Sequence, residues 1–214
     1  MVSVLIVEDE GLFRDMLKIS LGSIKNLDVV DAVADGNAAI EAANRLVPDI
    51  VLMDIELGSE PNGIAAGREI KEAHGEIGII ILSAHKEREY INRVTEKENS
   101  GWSYLLKQSV SDAGTLARAI EGTASGLVVL DPMVVNAMRP RKDSTTAGLT
   151  PRQQEVLAMM AQGYNNSAIA KKLVLGTKSV ENYINAIYQE LDLSHNSPLH
   201  PRVHAVLTYI RDSA

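Results

Sequence analysis

Five residues of this chain, Glu8, Asp9, Asp54, Ser83 and Lys107, are of types from which chemistry could be built. Three carboxylates gathered at one place repel and raise one another's pKa unless a cation joins them. Mg2+ suits such a place, because it takes oxygen ligands and commonly binds one or two carboxylates together with phosphate. Taken singly the same residues are ordinary, since an Asp at a strand end usually caps the next helix and a Lys there is usually solvated. The chemistry depends on the fold carrying all five to one rim.

The elements that must do so are legible as apolar runs. Val4 to Val7, Val29 to Val33, Ile50 to Met53, Ile77 to Leu82 and Tyr104 to Leu106 end 20 to 29 residues apart, the length of one strand, one helix and their turns. Stretches of helical spacing lie between them, such as Leu12, Met16, Ile19 and Leu21, or Ile64, Ala65, Ile70 and Ala73. A last helical stretch, Asp112 to Thr123, completes five β/α units. Short strands alternating with helices predict an α/β fold, a (βα)5 flavodoxin-like, doubly wound parallel sheet covered on both faces. In such sheets ligands bind beyond the carboxyl ends of the strands. Glu8 and Asp9 follow the first run, Asp54 the third, Ser83 the fourth and Lys107 the fifth, so one rim is expected to hold them all.

With these residues in place, residues 1–125 resemble the receiver domain of a two-component response regulator. The matching pieces are Glu8-Asp9, Met53-Asp54-Ile55, Ser83-Ala84 and Lys107. The resemblance implies that Asp54 is the phosphoacceptor, attacking a phosphohistidine on a sensor histidine kinase. It implies Mg2+ as cofactor, held by Glu8, Asp9, Asp54 and the backbone carbonyl of Glu56, with Lys107 neutralising the transferring group. Ser83 and Tyr104 match the family's switch pair, and Glu56 and His85 occupy positions that tune dephosphorylation. Lys107 precedes Gln108 where the family commonly has proline.

After Gly126 the pattern changes. Leu127 to Met138 reads as a short helix or strand and Arg139 to Gly148 as a polar linker, so residues 126–148 are expected to join two domains. Thr150-Pro151-Arg152-Gln153 then reads as a capping box opening the first helix of a small all-α, four-helix domain over 149–214. Helix, helix, tight turn and longer helix is the order of a helix-turn-helix. The segments Leu149 to Leu157, Ile169 to Leu173 and Lys178 to Tyr183 resemble the LuxR-type helix-turn-helix, and the two domains together resemble a NarL/FixJ-type response regulator.

The recognition helix is expected over Thr177 to Leu191, with Lys178, Glu181, Asn182 and Asn185 facing outward. Asn can pair bidentately with adenine, and Glu can accept from the amino group of cytosine. Lys171, Lys172, Lys178 and Arg152 are placed for phosphates. The resemblance assigns dimer contacts to the fourth helix, about Pro201 to Tyr209, and so to Val203, Val206, Leu207 and Ile210. His195, His200 and His204 read as solvated residues, because no Cys or nearby acid completes a metal site.

Composition bounds the rest. The net charge of −7 divides unevenly: residues 1–125 hold 12 Lys and Arg against 21 Asp and Glu, while residues 126–214 hold 9 against 7. The acid belongs to the first part, leaving the second free to meet nucleic acid. No apolar stretch approaches the ~18 to 20 residues that cross a bilayer, so no membrane partner is expected. Absence of cysteine fits a cytoplasmic protein, and 45% hydrophobic residues exclude general disorder. Within these bounds the resemblance implies a DNA-binding transcription regulator, not an enzyme beyond slow self-phosphotransfer and autodephosphorylation, that binds promoter DNA as a homodimer when phosphorylated. Two other readings remain: a phosphorylation-independent regulator that keeps the receiver for protein contacts, and a flavodoxin-fold phosphatase whose tail mediates assembly.

Overall fold

Apolar, largely β-branched runs form strands wherever both faces are to be covered, and five do so here. In the computed structural model these are β1 (Val2–Val7), β2 (Leu27–Val33), β3 (Ile50–Asp54), β4 (Gly78–Ser83) and β5 (Ser103–Leu106). They pair in the order β2-β1-β3-β4-β5, and every pair is parallel. The structure describes residues 1–84, 102–137, 144–193 and 199–213. His85, Met138 and His195 lie outside them. The chain divides into two units, Met1–Gly126 and Leu127–Ala214.

In the first unit, β3, β4 and β5 are buried along their whole length, whereas β2, at the edge, is mostly half-buried. This is the pattern of a parallel sheet with helices on both faces. The helices are α1 (Gly11–Gly22), α2 (Gly36–Leu46), α3 (Gly63–Ala73) and α4 (Ala113–Ala124). Contacts of α1 with α4, and of α2 with α3, pair them on the two faces. Asp35, Asn62 and Asp112 cap α2, α3 and α4 by accepting from the N–H groups of Ala38, Ala65 and Gly114. Each such cap contributes about 1 kcal/mol.

The phase of two helices differs from the apolar spacing. In α1 the buried residues are Leu17 and Leu21, while Leu12 and Ile19 are 81% and 76% exposed. In α3, Ala66, Gly67 and Ile70 face inward and Ala65 and Ala73 face solvent. Both helices carry apolar residues on more than one face, and packing against the sheet selects among them.

Strand register sets the height of each side chain. Val7, Met53, Ile81 and Tyr104 form one row across β1, β3, β4 and β5. Asp54, Leu82 and Leu105 form the next, and Ser83 and Leu106 the one after. Glu8, Asp9 and Lys107 follow directly on β1 and β5.

The second unit contains α5 (Pro132–Ala137), α6 (Pro151–Ala161), α7 (Asn166–Leu173), α8 (Thr177–Glu190) and α9 (Pro201–Ser213). The capping box is formed: Gln153 N–H donates to Thr150 Oγ1 at 3.3 Å, and Thr150 N–H donates to Gln153 Oε1 at 2.7 Å. The stretch over 126–148 does more than join domains. Val128, Val129, Leu130, Val134 and Val135 are buried, and Leu130 N–H donates to the Ala161 carbonyl at 2.7 Å. A run this apolar gains by burial, about 1.5–3 kcal/mol for each large side chain, and so packs as part of the second unit.

Helix α9 packs inward. Val203, Val206, Leu207 and Ile210, the residues to which the resemblance assigns dimer contacts, are all buried within the single chain, as are Ala205 and Tyr209. Arg202 on the same helix donates to the Tyr164 carbonyl and, at 3.2 Å, to Asn166 Oδ1, tying α9 to the turn before α7.

Candidate functional site

The five chemistry-bearing residues meet at the carboxyl edge of the sheet. Ligand oxygens of Glu8, Asp9 and Asp54 lie within 4.8 Å of one another. Lys107 Nζ donates to Asp54 Oδ2 at 2.9 Å and to Glu8 Oε1 at 3.0 Å. Glu8, Asp54 and Ser83 are buried, while Asp9 is exposed. Phe13, from α1, places its ring centroid 4.9 Å from the same ammonium. Tyr104 is buried one row below Asp54.

Electrostatics at this rim are those of acids held against their preference. Burial pushes the Glu8 carboxyl above its ordinary range, opposed by the hydrogen bond from Lys107. Burial likewise raises Asp54, against the Lys107 bond and a hydrogen bond from the Glu56 backbone. Burial works to lower the Lys107 pKa, but its bonds to Glu8 and Asp54 outweigh this and the net shift is upward. Glu8 Oε2 lies 2.9 Å from Lys107 Nζ, within the same ion pair. An all-oxygen donor set of three clustered carboxylates fits a hard divalent cation.

The β3–α3 loop closes tightly over this rim. Gly63 N–H donates to the Ile55 carbonyl at 3.0 Å, and a Cβ on Gly63 would stand 1.8 Å from the Asp54 carbonyl oxygen, so only glycine fits. Gly58, with φ +64°, turns the loop where a Cβ would lie 3.1 Å from Asp9 Oδ2.

Sequence reasoning missed Arg14 and Phe13. Arg14 Nη1 donates to the carbonyls of Glu8 and Asp9, at 2.6 and 3.2 Å. Its signal was present: a cation beside a helix N-terminus, where the helix dipole disfavours it, five residues after an acid pair.

In the second unit, α8 exposes Lys178, Asn182 and Asn185, and α7 exposes Lys171 and Lys172. Glu181 is partly exposed and accepts from Lys178 Nζ at 3.1 Å, so these opposite charges offset each other on the helix surface. Lys172 Nζ lies 4.8 Å from the Tyr164 ring centroid. Arg152 is committed elsewhere, donating to the Leu173 carbonyl at 2.8 Å and to Glu155 at 2.6 Å. Val174, 91% exposed, adopts the left-handed region (φ 54°) in the turn between α7 and α8. Gly176 occupies the N-cap of α8 and supplies no side-chain cap. His200 Nδ1 accepts from Arg202 N–H at 3.2 Å, at the start of α9. Among the described residues, the rim of the first unit holds the one cluster of acids and histidines that could bind a metal, and no helix is long and apolar enough to cross a membrane.

A doubly wound parallel sheet with an acid and lysine rim, followed by a helix-turn-helix unit, is the plan of a two-part DNA-binding regulator. Residues 4–121 match the model of the response regulator receiver domain, and residues 147–200 match that of bacterial regulatory proteins of the luxR family. The transcriptional regulatory protein DegU of Brevibacillus brevis is 28% identical over 214 residues, covering 90% of this chain and 89% of DegU. LnrK of Bacillus subtilis is 31% identical over 205 residues, covering 89% of this chain and 91% of LnrK. A solved structure of the Salmonella typhimurium RcsB response regulator matches with a TM-score of 0.57 at 22% identity, covering 98% of each chain. Another solved RcsB structure, of two dimers bound to two parallel DNAs, matches with a TM-score of 0.54 at 21% identity, covering 100% of this chain and 99% of that one. The chain belongs to the NarL/LuxR family of two-component response regulators, and it is a transcription factor with a LuxR-type DNA-binding domain.

Proposed function

We propose that Asp54 accepts a phosphoryl group from the phosphohistidine of a sensor histidine kinase and that this switches promoter binding by the second unit. The observation that carries the reading is the Lys107 ammonium bonded to both buried acids, Glu8 and Asp54, at the rim. An Asp54 oxygen forms the new P–O bond while the P–N bond to the kinase histidine breaks, its electron pair leaving with the imidazole nitrogen, which takes a proton from solvent. Lys107 and the Ser83 hydroxyl hold the transferring oxygens, so that developing charge meets fixed donors. Glu8, Asp9, Asp54 and the Glu56 carbonyl would hold Mg2+, which when bound neutralises charge on the transferring group. Movement of Ser83 toward the phosphoryl oxygen, with Tyr104 following, would carry the change to the surface of the unit.

In the second unit Asn182 and Asn185 read base edges, adenine above all, while Lys171 and Lys172 grip phosphates. Glu181, held by Lys178, contributes less to reading than its position suggests. One such helix reads few base pairs, so specificity calls for two copies on two half-sites.

Labelling of the full chain by acetyl phosphate with Mg2+ tests the first half: Asp54→Asn is expected to abolish it, and an unlabelled parent chain would refute the reading. DNA affinity is expected to fall as salt rises, and Lys171→Ala with Lys172→Ala to lower the log–log slope by about 2.

A further inference from the structure

Successive side chains of an extended strand point to opposite faces, yet Glu8 and Asp9 bring ligand oxygens within 4.8 Å of each other and of Asp54. The chain does this by leaving strand geometry after Val7 and bending at Asp9. The bend takes the Glu8 and Asp9 carbonyls out of the sheet ladder, and of the two the part-buried Glu8 carbonyl needs a protein partner. Glu8 N–H still donates to the Val33 carbonyl at 3.0 Å. The two carbonyls are taken instead by Arg14 Nη1, at 2.6 and 3.2 Å. On the other side of the turn Glu10 N–H donates to Glu8 Oε1 at 3.2 Å. Helix α1 starts with Glu10 at its N-cap and no side-chain cap, so its first residues do little to fix the bend. Arg14 itself is fixed, its own N–H bonded to the Glu10 carbonyl at 2.9 Å within α1.

We infer that Arg14 is a positioning residue for the cation site: its guanidinium clamps the Glu8 and Asp9 carbonyls and so aims two neighbouring carboxylates at one point beside Asp54. The inference rests on reading the rim as a Mg2+ site. Its direction sets it apart from a simple charge effect. A guanidinium near a dication repels it, so if charge alone mattered, removing Arg14 would tighten Mg2+ binding. If positioning matters, removal weakens it, as loss of a group that orients metal ligands typically costs about 10–100-fold in affinity.

Calorimetric titration of the full chain with Mg2+ alone, beside thermal unfolding in its absence, decides the matter. Arg14→Met, which keeps the aliphatic stem and loses every donor, is expected to bind Mg2+ about 10-fold more weakly or worse while still folded. Arg14→Lys, with a shorter reach to the same carbonyls, is expected to fall between, and added guanidinium ion to restore part of the loss in Arg14→Ala. Equal or tighter binding by folded Arg14→Met overturns the inference. Should that variant not fold, Arg14→Lys gives the answer, and parent-like affinity there overturns it equally. Failure of the underlying site would show elsewhere, as no Mg2+ uptake by the parent chain or unchanged uptake by Asp9→Asn, and would remove the inference with it.

Discussion

The two units handle charge in opposite ways. In the first, an ammonium and two carboxylates are drawn into the end of a sheet and hold one another there. In the second, the lysines of α7 and α8 stand in solvent, with Lys178 and Glu181 paired on the surface, and the one buried acid among its described residues, Asp131, accepts from the Met133 N–H at the start of α5. If the first unit gains a phosphoryl group as proposed, it needs charges that can exchange partners when the ligand arrives. A unit that lies along a polyanion needs charges that are already free. Burial of the rim and exposure of the lysines suit these different tasks.

The comparison is broken or sharpened most strongly by removing one cation from each unit. Lys107→Met leaves Glu8 and Asp54 without their partner and is expected to destabilise the first unit by about 3–5 kcal/mol. Lys178→Met, at an exposed pair, is expected to cost less than about 0.5 kcal/mol. Urea unfolding measures both, with Trp102, the chain's single tryptophan and buried in the first unit, reporting that unit alone. Similar losses in the two would end the contrast.

Next in size is the response to Mg2+ and to pH. A carboxyl raised on folding adds stability below its unfolded value and loses that contribution as pH rises through its folded value. Glu8 and Asp54 are both raised, so near neutrality their charges weigh on the fold and a cation relieves them. Mg2+ at a hundredfold excess over its Kd is expected to stabilise the Trp102 transition by about 2.7 kcal/mol near neutral pH. The gain should shrink as pH falls through the carboxylate range and protons replace the cation. The upward shift of Lys107 acts at the other end, its contribution being lost as pH rises through the raised value.

Smaller effects probe the second unit, where backbone and caps matter more than buried charge. Val174→Asn is expected to relieve the left-handed strain and raise the helical unfolding midpoint, by about 1 kcal/mol. Gly176→Ser, with no atom nearer than 3.9 Å to the new Cβ, supplies the missing cap of α8. A gain of a few tenths of a kcal/mol is expected from it, followed by circular dichroism.

The five strands and the acid and lysine rim were legible because a parallel sheet demands unbroken apolar runs and puts its ligands where those runs end. Asp54 and Lys107 are separated by a quarter of the chain, yet each follows such a run directly. Helix phase was less legible. Leu12, Met16 and Ile19 share as good a helical spacing as Phe13, Leu17 and Leu21, and only the packed sheet distinguishes them. Arg14 escaped notice because its work is done through backbone carbonyls, which leave no mark in side-chain types. Helix α9 is ambiguous in a different way: an apolar stripe looks alike whether it covers a monomer's core or meets another copy, and here Val203, Val206, Leu207 and Ile210 are buried within the single chain.

Lys107 Nζ stands within 3.0 Å of three carboxylate oxygens, one of Asp54 and both of Glu8. Its three hydrogens are thus fully called upon by acids at rest. An anion arriving at the proposed site would be held by this ammonium only as a carboxylate lets go, so that binding there is an exchange of partners and is readily undone.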